Sequence, residues 1–167
     1  MGGLIFASII MVVISYQDLK DRSIHWITIP LLFLSLLWWQ DFSISALVET
    51  VKNLLFILVI LFFLTVYVSF KHRSYQNITE SYFGWGDILF LLAITPAFSN
   101  QVFMLFFIGC TIVVLIISLI LMKMTPTFEV IPYAGLFALL LNGFLLFSTF
   151  INDKALLYLE SNFFLIE

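Results

Sequence analysis

Five long stretches of this chain carry no Asp, Glu, Lys, Arg or His: Met1–Gln17, Trp26–Gln40, Asn53–Phe70, Ile88–Met122 and Val130–Asn152. A hydrocarbon layer roughly 30 Å thick takes a helix of about 20 apolar residues. Runs of that length, in a chain of 167 residues, point to membrane helices with little outside the bilayer. Composition agrees: 63% of residues are hydrophobic, 10% are charged, and the mean hydropathy is +1.16. Soluble domains hold roughly 45–50% apolar and about 25% charged residues. So short a chain cannot hide this much apolar surface from water, which excludes a soluble fold. A disordered chain is excluded as well. Seven basic residues against ten acidic ones leave no basic face, so no nucleic-acid partner is expected. The single cysteine, Cys110, excludes a disulfide framework and a paired-cysteine zinc site. The expected fold is all-α, a polytopic membrane protein with one membrane-embedded domain over residues 1–167.

The Ile88–Met122 run is too long for one helix, and Thr95-Pro96 with Ser99-Asn100-Gln101 reads as a turn that divides it. Six transmembrane helices follow, at about residues 2–17, 26–40, 53–70, 83–98, 101–122 and 130–152. Ile88 to Phe98 alone would cover only about 16 Å at 1.5 Å per residue. The fourth span must therefore start earlier, near Tyr82 or Gly84, which puts Asp87 in its first turns. No basic n-region or small-residue cleavage site marks a removable signal peptide. Lys20, Arg22, Lys71, Arg73 and Lys123 follow spans 1, 3 and 5, whereas Lys52 and Lys154 lie on the other side. This excess puts the odd loops in the cytoplasm. The Asn77-Ile78-Thr79 sequon then falls on the cytoplasmic side, within Lys71–Phe83, a segment expected to be mobile.

Most charges, including Asp41, Glu49, Lys52, Glu80, Glu129, Asp153 and Glu160, sit where loops belong and read as solvated. Asp18 and Asp87 differ. Span 1 ends on the side where span 4 begins, because spans 2 and 3 make an excursion and return. Topology thus puts both acids on one face at similar depth, whatever the orientation. A carboxylate inside the bilayer costs roughly 2.5–3.5 kcal/mol at the helix centre and less toward the edge. Such a group needs a partner or a task. One reading makes Asp87 a cap of its own helix and Asp18 a border residue. Another pairs them: two carboxylates within about 3 Å cannot both ionise and so share one proton. The ionised partner then takes a proton from a trapped water, and the protonated one polarises a scissile carbonyl. Asp87 follows Gly84-Trp85-Gly86. With seven glycines in the chain, G-x-G-D arises by chance in roughly 1% of such compositions. Glycines there admit close backbone approach and unusual dihedrals.

Tyr16-Gln17-Asp18-Leu19-Lys20-Asp21-Arg22-Ser23-Ile24 resembles the first aspartate motif of the type IV prepilin peptidases. Gly84-Trp85-Gly86-Asp87 is similar to their second, GxGD, motif, and Ile131-Pro132-Tyr133 with Ala138 to the opening of their last helix. The resemblance implies a membrane aspartic endopeptidase with Asp18 and Asp87 as catalytic pair, Gly84 and Gly86 in support, and no metal or cofactor. It implies removal of a basic leader from pilin-like or pseudopilin-like membrane proteins, at the cytoplasmic face of a bacterial inner (plasma) membrane. Lys20, Arg22, Ile131, Pro132 and Tyr133 are candidate contacts to substrate, and Lys20 and Arg22 also to membrane lipid. The chain departs from the family pattern where His25-Trp26 follows Ile24, where the family often reads Pro-Asn. It departs again at Leu89, where a lysine is common. The paired-cysteine domain of larger members is not expected, nor is their methylation activity.

Other readings use the same residues. Asp21 is an alternative partner to Asp87, and His25 with His72 could join the acids in a metal site. A decayed, non-catalytic subunit would hold a partner helix in the same groove. A small transporter would use the acids for protons, but no charge lies at the midplane. Ala134 and Ala138, with Gly135 beside them, form a small face suited to helix packing.

Overall fold

The computed structural model describes residues 2–72, 84–124 and 132–150, which form α-helices and no strand. Helix α1 spans Gly2–Asp21, α2 Thr28–Trp39, α3 Ile44–His72, α4 Trp85–Ala93, α5 Asn100–Met124 and α6 Tyr133–Phe150; a 3₁₀ turn, Thr95–Ala97, joins α4 to α5. The expected all-α membrane architecture is observed. Large apolar side chains such as Phe62, Phe63, Phe70 and Leu105 cover the outside, the face a lipid solvent requires.

The expectation of six full crossings is met only in part. Gly2–Asp21, Ile44–Phe70 and Asn100–Leu121 are long and apolar enough to cross. Helix α2 has 12 residues, about 18 Å, and α4 has nine, about 14 Å. The expected single helix over 83–98 is broken at Ile94. Pro96 has no N–H to donate and its ring clashes with the carbonyl of residue 92 in a continuing helix. Thr95 Oγ1 instead donates to the Leu92 carbonyl at 2.8 Å. Helix α3 starts nine residues earlier than the charge-free run, because Glu49 and Lys52 fit inside it as an i,i+3 ion pair at 2.6 Å. Most of Lys71–Phe83, including the sequon, lies outside the described residues.

Helices α1 and α2 cross tightly. A Cβ on Gly3 would lie 2.6 Å from the Trp39 amide nitrogen and 3.0 Å from the Ser35 carbonyl. Only glycine lets the two backbones meet there. Helix α1 also packs extensively on α6. Its buried stripe of Leu4, Ala7, Met11, Ile14 and Asp18 recurs at three- and four-residue steps, as do Ala134, Ala138, Leu141 and Leu145 on α6.

The end of the bundle away from Asp18 is held by polar groups. Asn53 is fully buried. Its amide donates to the carbonyls of Thr95 and Phe98, both at 2.8 Å, and its carbonyl accepts from Asn100 Nδ2 at 3.1 Å. Glu49 Oε2 accepts from the Asn100 backbone N–H at 2.7 Å. Glu49 therefore caps α5 rather than sitting solvated as the sequence suggested, because a helix start near the bilayer offers donors that water does not fill. These bonds fasten α3 to the break between α4 and α5. Asn53→Ala removes the donor from both carbonyls, at about 1–3 kcal/mol per buried group left unsatisfied. The unfolding midpoint in detergent micelles is expected to drop accordingly; an unchanged midpoint would show that the lock contributes nothing.

Candidate active site

Asp18 lies in the last turn of α1 and is 7% exposed. Its Oδ2 accepts a hydrogen bond from the Gly135 backbone N–H at 2.6 Å. Asp87 is the third residue of α4 and half-buried. Its Oδ1 accepts from the Ala134 N–H at 3.1 Å. Ala134 and Gly135 are consecutive, with Cα atoms about 3.8 Å apart. Two acids far apart in sequence are thus bound to neighbouring donors of one helical turn.

That turn is suited to the purpose. The first N–H groups of a helix have no intrahelical acceptor, and the helix dipole favours an anion there by roughly 0.3–1 kcal/mol. Pro132, buried, precedes α6 and its carbonyl accepts from the Leu136 N–H at 3.2 Å. Tyr133 and Thr111 share a hydroxyl–hydroxyl bond of 3.1 Å. The Phe137 ring meets Phe90 of α4 at 6.0 Å and Phe106 and Phe107 of α5 at 5.8 and 6.1 Å. Aromatic packing of this kind contributes beyond area burial alone, and here it holds the first turn of α6 against both helices.

Gly84 and Gly86 do not adopt the unusual dihedrals expected of them. Gly84 has φ −64° and ψ 147°, and none of the described glycines has positive φ. Gly84 instead donates its N–H to Asp87 Oδ2 at 3.3 Å. Asp87 thus caps its own helix through Oδ2 while its Oδ1 binds the Ala134 N–H. A Cβ on Gly86 would stand 3.4 Å from the Ile24 side chain, so this glycine brings α4 up to the segment after α1.

The remaining candidates lie around this centre. Asp21 is exposed, and the Ala134 and Gly135 N–H groups go to Asp87 and Asp18 instead. Lys20 is exposed, with Nζ 3.1 Å from the Tyr16 hydroxyl and 5.3 Å from its ring centre. Arg22 is exposed and ends α1 in the left-handed region, at φ 53°. An open cavity of about 340 Å³ is lined by Gln17, Asp21, Ser23, Ile24, His25 and Trp26. His25 is exposed, its N–H donating to Gln17 Oε1 at 3.1 Å. Among the described residues no group of three or more His, Cys, Asp or Glu is placed to hold a metal. Ile131 lies outside the described residues.

The sequence reading did not single out the amides of Ala134 and Gly135. A backbone donor has no residue type, so the only trace was the run of small residues after Pro132 and Tyr133.

A model of the type IV leader peptidase family matches residues 5–119. The chain belongs to that family. It is accordingly a membrane protease of the type IV leader peptidase kind. The family match contains Asp18 and Asp87 and ends before α6, so membership does not depend on the helix that supplies both donors. No curated protein and no solved structure matches the chain.

The burial contrast is testable. In separate single-cysteine variants on a Cys110→Ser background, Asp21→Cys should react with a bulky water-soluble maleimide about tenfold faster than Asp18→Cys, since access controls thiol labelling. Equal rates would contradict the buried position of residue 18.

Proposed function

We propose that this type IV leader peptidase is an aspartic endopeptidase whose catalytic pair is Asp18 and Asp87. Its substrates are pilin-like or pseudopilin-like membrane proteins. The observation that carries the reading is the binding of both carboxylates to consecutive N–H groups of α6. Each acid is anchored to that turn through one oxygen, so the two side chains are oriented by a rigid element rather than by loops, as catalytic groups require.

The chemistry uses one shared proton. The ionised carboxylate takes a proton from a water molecule, and the water oxygen attacks the scissile carbonyl carbon. The protonated carboxyl gives its proton to the developing oxyanion. On collapse, the carboxyl that took the water proton gives it to the leaving nitrogen, the other carboxylate takes one back from a hydroxyl of the tetrahedral carbon, the C–N bond breaks, and the pair returns to its starting state. The positive loops support a cytoplasmic position for this site in a bacterial inner membrane. Lys20 and Arg22, exposed at the end of α1, suit contacts to lipid phosphates or to the substrate beside the cut.

The test is co-expression with a fusion in which a short basic leader ending in Gly precedes an apolar helix. Wild type is expected to release the leader. Asp18→Asn and Asp87→Asn should each lower the rate by about 10²–10⁴-fold. Cleavage that persists in both variants would refute the pair. Intact leader with wild type, across several pilin-like fusions, would favour a non-catalytic subunit that binds a partner helix.

The rate should also depend on pH as a bell. Activity falls on the acid side once both carboxyls are protonated and on the alkaline side once both are ionised, and the two apparent values belong to the pair. A single-limbed profile would mean that one acid works alone.

A further inference from the structure

A side chain at position 135 would be crowded on the side that faces Asp18. A Cβ built on Gly135 would stand 3.0 Å from Asp18 Cβ, 3.0 Å from Asp18 Oδ2 and 3.3 Å from the Ser15 carbonyl oxygen. The last of these is helix backbone, which gives less readily than the end of a side chain. Gly143, two turns further along the same helix, has nothing within 4 Å of the equivalent position. Gly135 has ordinary backbone geometry, since no described glycine has positive φ. Its lack of a side chain therefore serves the close approach to Asp18 and not a special dihedral.

We infer that Gly135 is a positioning residue for the reaction: by carrying no side chain it lets α6 seat its N–H on Asp18, and so sets where that carboxylate stands relative to Asp87. The inference rests on the pairing of Asp18 with Asp87 proposed above. Three features make the placement rigid. Gly135 is buried and its bond to Asp18 is short, at 2.6 Å. Its neighbour Ala134 binds Asp87, so any shift of the turn moves both acids. Phe137, two residues on, wedges the turn against α4 and α5 through Phe90 and Phe106. An added methyl group pushes Asp18 or the first turn of α6 aside by a few tenths of an ångström. Since about 1 Å of misplacement lowers a rate by about 100-fold, a shift of about half that size is enough for a loss of about tenfold.

The experiment has two arms. In the first, cleavage of the leader fusion is measured for Gly135→Ala and Gly143→Ala. The former is expected to lower kcat about tenfold or more with KM within about twofold, and the latter to match wild type, since only the first disturbs the placement of a reacting group. In the second, the protein is labelled with ¹⁵N-glycine in micelles, and the Gly135 amide is assigned as the signal of seven glycines that Gly135→Ala removes. Its proton should lie downfield and shift upfield in Asp18→Asn, while the Gly143 signal stays in place. Wild-type kcat in Gly135→Ala, or a Gly135 amide indifferent to Asp18→Asn, overturns the inference. If Gly135→Ala does not fold, the amide, assigned instead by selective labelling of the Ala134–Gly135 pair, still decides. If the amide responds but neither aspartate variant loses cleavage, the catalytic pairing fails while the contact stands.

Discussion

Two carboxylates at the rim of a hydrocarbon layer need donors, and one helix terminus supplies both. A helix beginning at the same rim has the opposite problem, because its first N–H groups have no acceptor. Asp18 and Asp87 meet Gly135 and Ala134 there, so each group solves the other's lack of a partner. Asp18 is buried there, so a main-chain donor takes over what water would supply, and the contact ties three helices together. Helices α1, α4 and α6 must converge at one end, and everything between has to accommodate that meeting.

The opposite end follows the same logic with neutral and capping groups. Asn53 and Glu49 bind the broken chain between α4 and α5. Between the two polar ends an aliphatic interior encloses a connected set of rings, with Phe56, Phe103 and Phe107 joined through Phe137 to Phe90 and Phe106. In lipid, burying a phenylalanine against another gains little over burying it against an acyl chain. Register between helices must come from shape, from close contacts such as Gly3 on Trp39, and from polar bonds. The polar ends therefore carry more of the specificity of this fold than their small number suggests. In the aspartic peptidase reading, the same rigidity that satisfies the carboxylates also orients them for work on a peptide bond.

Much of this was legible in the chain. The charge-free runs gave the helices and their order, and Thr95-Pro96 marked the break, because a missing N–H stops a helix in any solvent. Parity of crossings gave the common side of Asp18 and Asp87 without any knowledge of packing. The lengths were less legible. Absence of charge sets where a helix can enter lipid, not where it starts, so α3 began earlier than its apolar run and α4 ended sooner. Glu49 looked solvated because a carboxylate in a loop and one capping a neighbouring helix have the same letter.

The residue types alone determined the solvent, the helical class and the meeting of two acids on one side, since each depends on transfer energies or on counting crossings. Tertiary structure decided what those acids touch. The donors are main-chain amides of a helix more than forty positions from either acid, and Gly135 matters for the atoms it lacks. Backbone groups are the same at every residue, so only the folded arrangement of α1, α4 and α6 reveals which of them are used.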